Sequence, residues 1–328
     1  MKDNIIFIIS LPRSGSTLLQ KILASHPSIE SHSEPWLLLP LISIFFNKNN
    51  MVSTFSMQNW FTANEINNLK INSKNMRELD SLISNFVGSY YSKMSKKDGA
   101  SYFLDKTPRY YSIIPEIIRI FPDAKFIFLL RNPLDVAISS HKLFGANSLR
   151  YFPINADLND GPTLLARSLI KYRDNKNIHI TYYESLVNNP VDEVNKILKF
   201  VKVNSSKIIL NNILTSFSET KLFGKLGDPL NIGINTIVKN KKDLNIQFIN
   251  SKLRKWYFIK YIKNIDQDFF NYTNYSRKEI LNSLYSLRVA KIFSFIDLKN
   301  LFISFIVLKI NLNLFKKKFK LLRNRLLN

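Results

Sequence analysis

Residues 125–130, Lys-Phe-Ile-Phe-Leu-Leu, follow one lysine with five apolar side chains in a row. A strand with one wet face alternates polar and apolar residues, so an unbroken apolar strand must be covered on both faces. Such a strand belongs inside a sheet sandwiched by helices. Further strand-like segments are expected at Ile5 to Ser10, Ser101 to Asp105 and Ile178 to Tyr182, with a short one at residues 28–33. Helical periodicity falls between them, at Thr17 to Ser25, Leu37 to Phe46, Met76 to Met94, Arg109 to Ile120, Pro133 to His141, Thr163 to Asp174 and Val191 to Val201. Strand and helix in alternation predict an α/β fold with a central, mainly parallel sheet flanked by helices. No Gly/Pro-rich linker or repeat divides the 328 residues, so one main body is expected at 1–250, with a basic, helical C-terminal extension at 251–328.

In a parallel sheet all strands end at one edge, where ligands of open α/β folds bind. The residues that follow the strands are therefore the site candidates: Arg13, Lys106, Arg131 and Tyr183, with Glu34 after the short strand. Taken singly, each reads as a surface cation, a solvated acid or a core aromatic. Together they suit an anionic nucleotide. The loop at the end of the first strand, Pro-Arg-Ser-Gly-Ser-Thr, strengthens this reading. It leaves the N–H groups of Gly15, Ser16 and Thr17 at a helix start with no upstream carbonyl, at the positive end of the helix dipole. Ser14, Ser16 and Thr17 add hydroxyls, Gly15 lets backbone approach closely, and Arg13 offers a planar charged fork to phosphate or sulfate. The hexad alone is equally consistent with a strand-to-helix turn capped by serine. It lacks the lysine of a Walker A loop, which weakens a Mg-nucleotide kinase or NTPase reading. Ser139, eight residues after Arg131, is placed for its hydroxyl to return toward the same phosphate.

The chain has 47 Lys+Arg against 24 Asp+Glu, a formal charge of +23, which suits nucleic acid, anionic lipid or an anionic substrate. It shows no nucleic-acid-binding signature, and no nucleic-acid partner is expected. It has no cysteine, and its four histidines lack zinc-ligand spacing, so no metal is expected. Strand-like sequence by Ile5, with no charged and apolar leader before it, predicts a cytoplasmic body. Residues 290–328 mix aromatic and aliphatic residues with a basic end. They are compatible with peripheral contact at the inner face of a membrane, and with packing on the body or on a second subunit.

Four stretches in order resemble sulfotransferases that use 3′-phosphoadenosine 5′-phosphosulfate (PAPS): "PRSGSTLL", "FLDKTPRYYSIIPEIIRIFPDAKFIFLLR", "FIFLLRNPLDVAISS" and "ITYYESLVNNPVDEVNKILKFV". The resemblance runs over residues 5–202, with a weaker echo at "KLGDP" that adds Lys225 as a cofactor-binding candidate. It implies a P-loop-like three-layer fold and transfer of a sulfuryl group to an acceptor hydroxyl, or less readily an amine, without metal. It implies that Arg13, Ser14, Gly15, Ser16 and Thr17 hold the 5′-phosphosulfate, Arg131 and Ser139 the 3′-phosphate, and Tyr183 the adenine and ribose. Lys106 falls where the family has a catalytic lysine, and Arg13 would share the charge. The histidine base of cytosolic members is absent after Lys106. Glu34 instead matches the second glutamate of the pair used by protein-tyrosine sulfotransferases, with Ser33 in place of the first, which makes Glu34 the expected base. His32 and His141 stand next in line. Aromatic residues in 36–100 and 141–162, among them Trp36, Trp60, Tyr91 and Phe152, are expected to contribute to an acceptor pocket for a carbohydrate, lipid or peptide.

Overall fold

The computed structural model describes residues 4–46, 73–95, 97–150, 154–220, 222 and 246–306. Two compact units result, residues 1–131 with 164–239 and residues 132–163 with 240–328.

The first unit carries a five-stranded sheet made of β1 (Ile5–Ile9), β2 (Ile29–Ser31), β3 (Tyr102–Asp105), β4 (Lys125–Leu130) and β5 (Ile178–Tyr182), in the order β2-β3-β1-β4-β5. Every pairing is parallel, so all five strands end at one edge. The short strand expected at 28–33 is present as β2. Helices in this unit are α1 (Ser16–Ala24), α2 (Leu38–Phe46), α3 (Ser73–Met94), α4 (Ile114–Ile120), α7 (Tyr183–Asn188), α8 (Pro190–Val201) and α9 (Lys207–Ser216).

Strand periodicity sorts the apolar runs between the two faces. Ile6, Ile8, Ile127 and Leu129 join Leu19 and Ile22 of α1, Ile197 of α8 and Leu210 of α9 in one aliphatic layer. Phe7 points to the other side, stacked on Phe126 at 5.6 Å and packed against Phe121 at 5.4 Å and Tyr110 at 6.2 Å. On that side Tyr91 of α3 stacks on Phe103 at 4.3 Å. The run at 125–130 therefore has no polar alternation because each face has its own apolar layer.

Two helices differ most from expectation. The helix expected from Arg109 to Ile120 is split into a 3₁₀ turn, Tyr110–Ser112, and α4, with Ile113 at φ −131 between them. Pro115 is the cause, because its ring would clash with the carbonyl of Tyr111 in a continuous helix, whereas it is tolerated in a first turn. Conversely α6 (Asn155–Lys171) starts eight residues before Thr163 and runs through Pro162. Its buried Leu158, Leu165 and Leu169 keep helical spacing across the proline, and that burial outweighs a lost hydrogen bond.

The second unit contains α5 (Pro133–Phe144), α10 (Lys252–Asn264), α11 (Gln267–Asn271), α12 (Arg277–Ser286) and a helix over residues 295–306. Asn132 caps α5, its Oδ1 accepting from Leu134 N at 3.0 Å. A buried arginine organises this unit. Arg254 forks onto Asp297 at 2.8 and 2.9 Å and donates to the carbonyls of Phe248 and Asn147. Among the described residues, no helix is long and apolar enough to cross a membrane.

Candidate active site

The loop after β1 turns through two left-handed residues, Arg13 at φ 71 and Gly15 at φ 90, and delivers the chain into α1. Ser14 N–H donates to Leu11 O at 3.2 Å to close the turn, and Leu18 and Leu19 N–H donate to Gly15 O. Gly15 is required twice over. Its positive φ penalises a side chain, and the Tyr183 ring lies 2.3 Å from where a Cβ would stand. Arg131 lies over that ring, its guanidinium carbon 4.2 Å from the centroid, and its Nη1 donates to Arg13 O at 2.8 Å. Loop, tyrosine and arginine thus form one packed assembly. Arg131 Nε is buried with no hydrogen-bond partner among the described residues. A buried guanidinium N–H of this kind fits an anion, as do the first-turn N–H groups of α1.

Beside the loop, Lys106 is 1% exposed. Its Nζ donates to Glu34 Oε1 at 2.7 Å and to Thr17 Oγ1 at 3.3 Å. One ammonium therefore joins the carboxylate after β2 to the first turn of α1. Glu34 Oε2 accepts from the Trp36 indole N–H at 3.0 Å, so both of its oxygens are held. Trp36 itself sits at φ 54, an unusual conformation for so large a residue, and its backbone N–H donates to Thr107 Oγ1 at 3.3 Å. The Thr107 hydroxyl in turn donates a hydrogen bond to Asp105 Oδ1 at 3.0 Å. Asp105 Oδ2 accepts from Tyr110 at 2.7 Å and from Tyr91. Burial pushes the Asp105 carboxyl up to about 6 against the stabilising hydrogen bonds of the two tyrosines and Thr107 and the charge of Lys106. Burial and the neighbouring carboxylate push both phenols well above their ordinary range. A continuous chain of contacts thus runs from the core tyrosines to Glu34.

A sequence profile described as "Sulfotransferase family" matches residues 5–206, which hold every one of these groups. The chain belongs to the sulfotransferase family. This is the family of the sulfuryl-transfer reading, and not of the kinase or nucleic-acid ones. The chain is 26% identical to the nodulation protein NoeE of Sinorhizobium fredii over 246 residues, 67% of this chain and 57% of that protein. It is 24% identical to the protein-tyrosine sulfotransferase of Drosophila melanogaster over 217 residues, 63% of this chain and 40% of that protein. The chain thus spans about half the length of these relatives. The sulfotransferase domain of the Synechococcus PCC 7002 olefin synthase shares the fold, with a TM-score of 0.51 and 20% identity over 87% of this chain and 95% of that one.

Of the residues singled out in the sequence, the sulfotransferase fold brings together Arg13, Ser14, Gly15, Ser16, Thr17, Glu34, Lys106, Arg131 and Tyr183 in the first unit. Ser139 lies half-buried on α5, in the second unit. Lys225 lies outside the described residues, as do Trp60 and Phe152. Tyr91 belongs to the core rather than to an acceptor pocket, since it is 1% exposed and engaged with Asp105 and Phe103. His32 is buried against Glu30 at 3.2 Å. His141 is buried in the second unit, where its Nδ1 accepts from Arg150 N–H at 3.2 Å and its Nε2 lies 3.1 Å from Tyr257 Oη. Sequence reasoning missed Asp105, Thr107 and the orienting role of Trp36. The available signal was an acid immediately before the lysine in Asp-Lys-Thr-Pro. A cavity of about 740 Å³, lined by Ile5, Asp80, Arg119 and Ala124, opens where β1 and β4 begin and takes no part in this site.

Proposed function

We propose that this sulfotransferase uses PAPS as donor and transfers its sulfuryl group to a hydroxyl of a carbohydrate, lipid or peptide, with Glu34 as the base. The observation that carries this reading is the single Lys106 ammonium shared between Glu34 and the anion loop at Thr17. In the reaction an acceptor oxygen forms a bond to sulfur while the bond from sulfur to the bridging phosphate oxygen breaks. The acceptor proton passes to Glu34, and adenosine 3′,5′-bisphosphate leaves. Negative charge grows on the departing oxygen, where Lys106 and Arg13 stabilise it. Lys106 serves two oxygens in turn, holding Glu34 in place before the reaction and neutralising the leaving group during it. Arg13, Ser14, Gly15, Ser16 and Thr17 receive the 5′ end. Arg131 receives the 3′-phosphate, a role that family resemblance alone extends to Ser139, and Tyr183 packs near the nucleoside. Lys225 is assigned to the donor by family resemblance alone.

The test is thermal unfolding with adenosine 3′,5′-bisphosphate, followed by transfer from labelled PAPS to a panel of saccharide, lipid and peptide hydroxyls. A hundredfold excess over Kd stabilises the fold by about 2.7 kcal/mol. Arg131→Ala is expected to weaken the bisphosphate far more than adenosine 5′-phosphate. No shift at saturation would remove the donor assignment, and equal losses for the two nucleotides would remove Arg131 from the 3′-phosphate.

A further inference from the structure

We propose that residues 292–306 form a surface that docks this chain flat on an anionic lipid bilayer. The helix over residues 295–306 is amphipathic in the wrong sense for a soluble protein, in which such a helix buries its apolar stripe. Here the polar face is buried. Asp297 is inaccessible and bound to Arg254 at 2.8 Å and to Leu149 N–H at 2.8 Å, Asn300 Nδ2 donates to Ser148 Oγ at 2.5 Å, and Ser304 is 2% exposed. The apolar face points out. Phe295, Phe302 and Phe305 are 82, 66 and 61% exposed, and Ile292, Ile296 and Leu298 extend the patch. This orientation is pinned from below, because α10 begins by donating Lys252 N–H to Lys291 O at 2.8 Å and Leu253 N–H to Ile292 O at 2.9 Å. Turning the helix over would leave Arg254 as a buried, unpaired cation, which is strongly unfavourable. A contiguous aromatic and aliphatic patch that the fold holds outward marks an interaction surface.

Charge selects the occupant. Residues 291–328 contain nine Lys+Arg and one acid, Asp297. That acid is neutralised beneath the helix, whereas Arg288, Lys291 and Lys299 are exposed around the patch. Two copies facing each other would bring these like charges together, whereas anionic headgroups complement them. The helix rises about 18 Å, too short to cross a hydrocarbon core of about 30 Å, but it can lie in the interface with its rings among the acyl chains. This inference is independent of the donor and acceptor assigned above, because bilayer binding is read without sulfuryl transfer.

The experiment is flotation of the full chain with vesicles of phosphatidylcholine alone and of phosphatidylcholine with an equal part of phosphatidylglycerol, at low and high salt. Binding is expected on the anionic vesicles, falling with salt. The variant Phe295→Ser, Phe302→Ser, Phe305→Ser should bind about tenfold or more weakly, with an unchanged melting temperature, since the three rings it removes are exposed. The chain has no cysteine, so Phe302→Cys carrying an environment-sensitive dye gives a second readout, a blue shift on anionic vesicles. Failure of the wild type to float would overturn the proposal. So would undiminished binding of the triple variant, which would assign binding to the basic residues alone. Self-association of the wild type that the triple variant abolishes, with no flotation, would assign the patch to a second copy instead.

Discussion

Lys106 Nζ lies 2.7 Å from Glu34 Oε1, in a pair whose side chains are 2 and 11% exposed. Two oppositely charged groups held this far from water hold each other in register, so removing one affects the other. Glu34→Gln keeps the shape and an acceptor for Lys106 but cannot take a proton. Its turnover is expected to fall roughly 10²- to 10⁴-fold with bisphosphate binding retained. Lys106→Ala should lower turnover by a comparable factor, and the double variant should lose much less than the product of the two single losses, because the residues act as a unit. Independent, multiplying losses in a steady-state cycle would separate their roles.

Gly15→Ala should disturb the nucleotide loop through Tyr183. A methyl group at φ 90 is strained by about 1–2 kcal/mol, and it also meets the tyrosine ring at 2.3 Å, so the ring and Arg131 stacked on it must move. The expected result is a lower melting temperature together with weaker binding of adenosine 3′,5′-bisphosphate. A variant that unfolds less readily, or that binds the nucleotide normally, would show that the Tyr183–Arg131 stack is not needed.

Asp105 gives the fold a pH dependence of definite sign. Its carboxyl titrates at about 6 in the folded chain against 3.8 ordinarily. Between these values the unfolded chain has released a proton that the folded chain retains, so stability from this group falls as pH rises through the window and is lower by about 3 kcal/mol above it. Asp105→Asn removes that titration. The difference in urea-unfolding free energy between wild type and variant should slope between pH 4 and 6 and be flat above. If it is flat throughout, Asp105 is not a proton-retaining acid.

His141 acts with the opposite sign in the second unit. Burial, with Arg254 nearby, lowers its imidazolium to about 3 from 6.5. As pH falls from 6.5 toward 3 the unfolded chain gains a proton that the folded chain refuses, and stability is lost. His141→Asn, which retains an acceptor near Arg150 N–H, should unfold less steeply with acid than the wild type. Equal acid slopes would mean that the ring is protonated in place.

Sequence alone determined the features that rest on local physics. The unbroken apolar run at 126–130 predicted a strand covered on both faces, and the Arg-Ser-Gly-Ser-Thr turn before an amphipathic stretch predicted the end of a strand and the start of a helix. Parallel order then brought Arg13, Glu34, Lys106, Arg131 and Tyr183 to one edge, because each follows a strand. Tertiary structure decided what these groups touch. Glu34 and Lys106 are 72 residues apart, and their bond depends on β2 pairing with β3 in the register that sets Ser31 beside Leu104. Asp105 reads as an ordinary acid until Tyr91, from a helix fourteen residues upstream, and Tyr110, from the turn beyond, close over it. The helix over residues 295–306 makes the point most plainly. Its periodicity marks a hydrophobic face, but Arg254, buried 43 residues away in sequence, binds Asp297 on the opposite face and turns the hydrophobic one outward. Periodicity identifies which residues share a face, whereas the direction in which that face points is set by partners distant in sequence, because a buried charge must find its counterion.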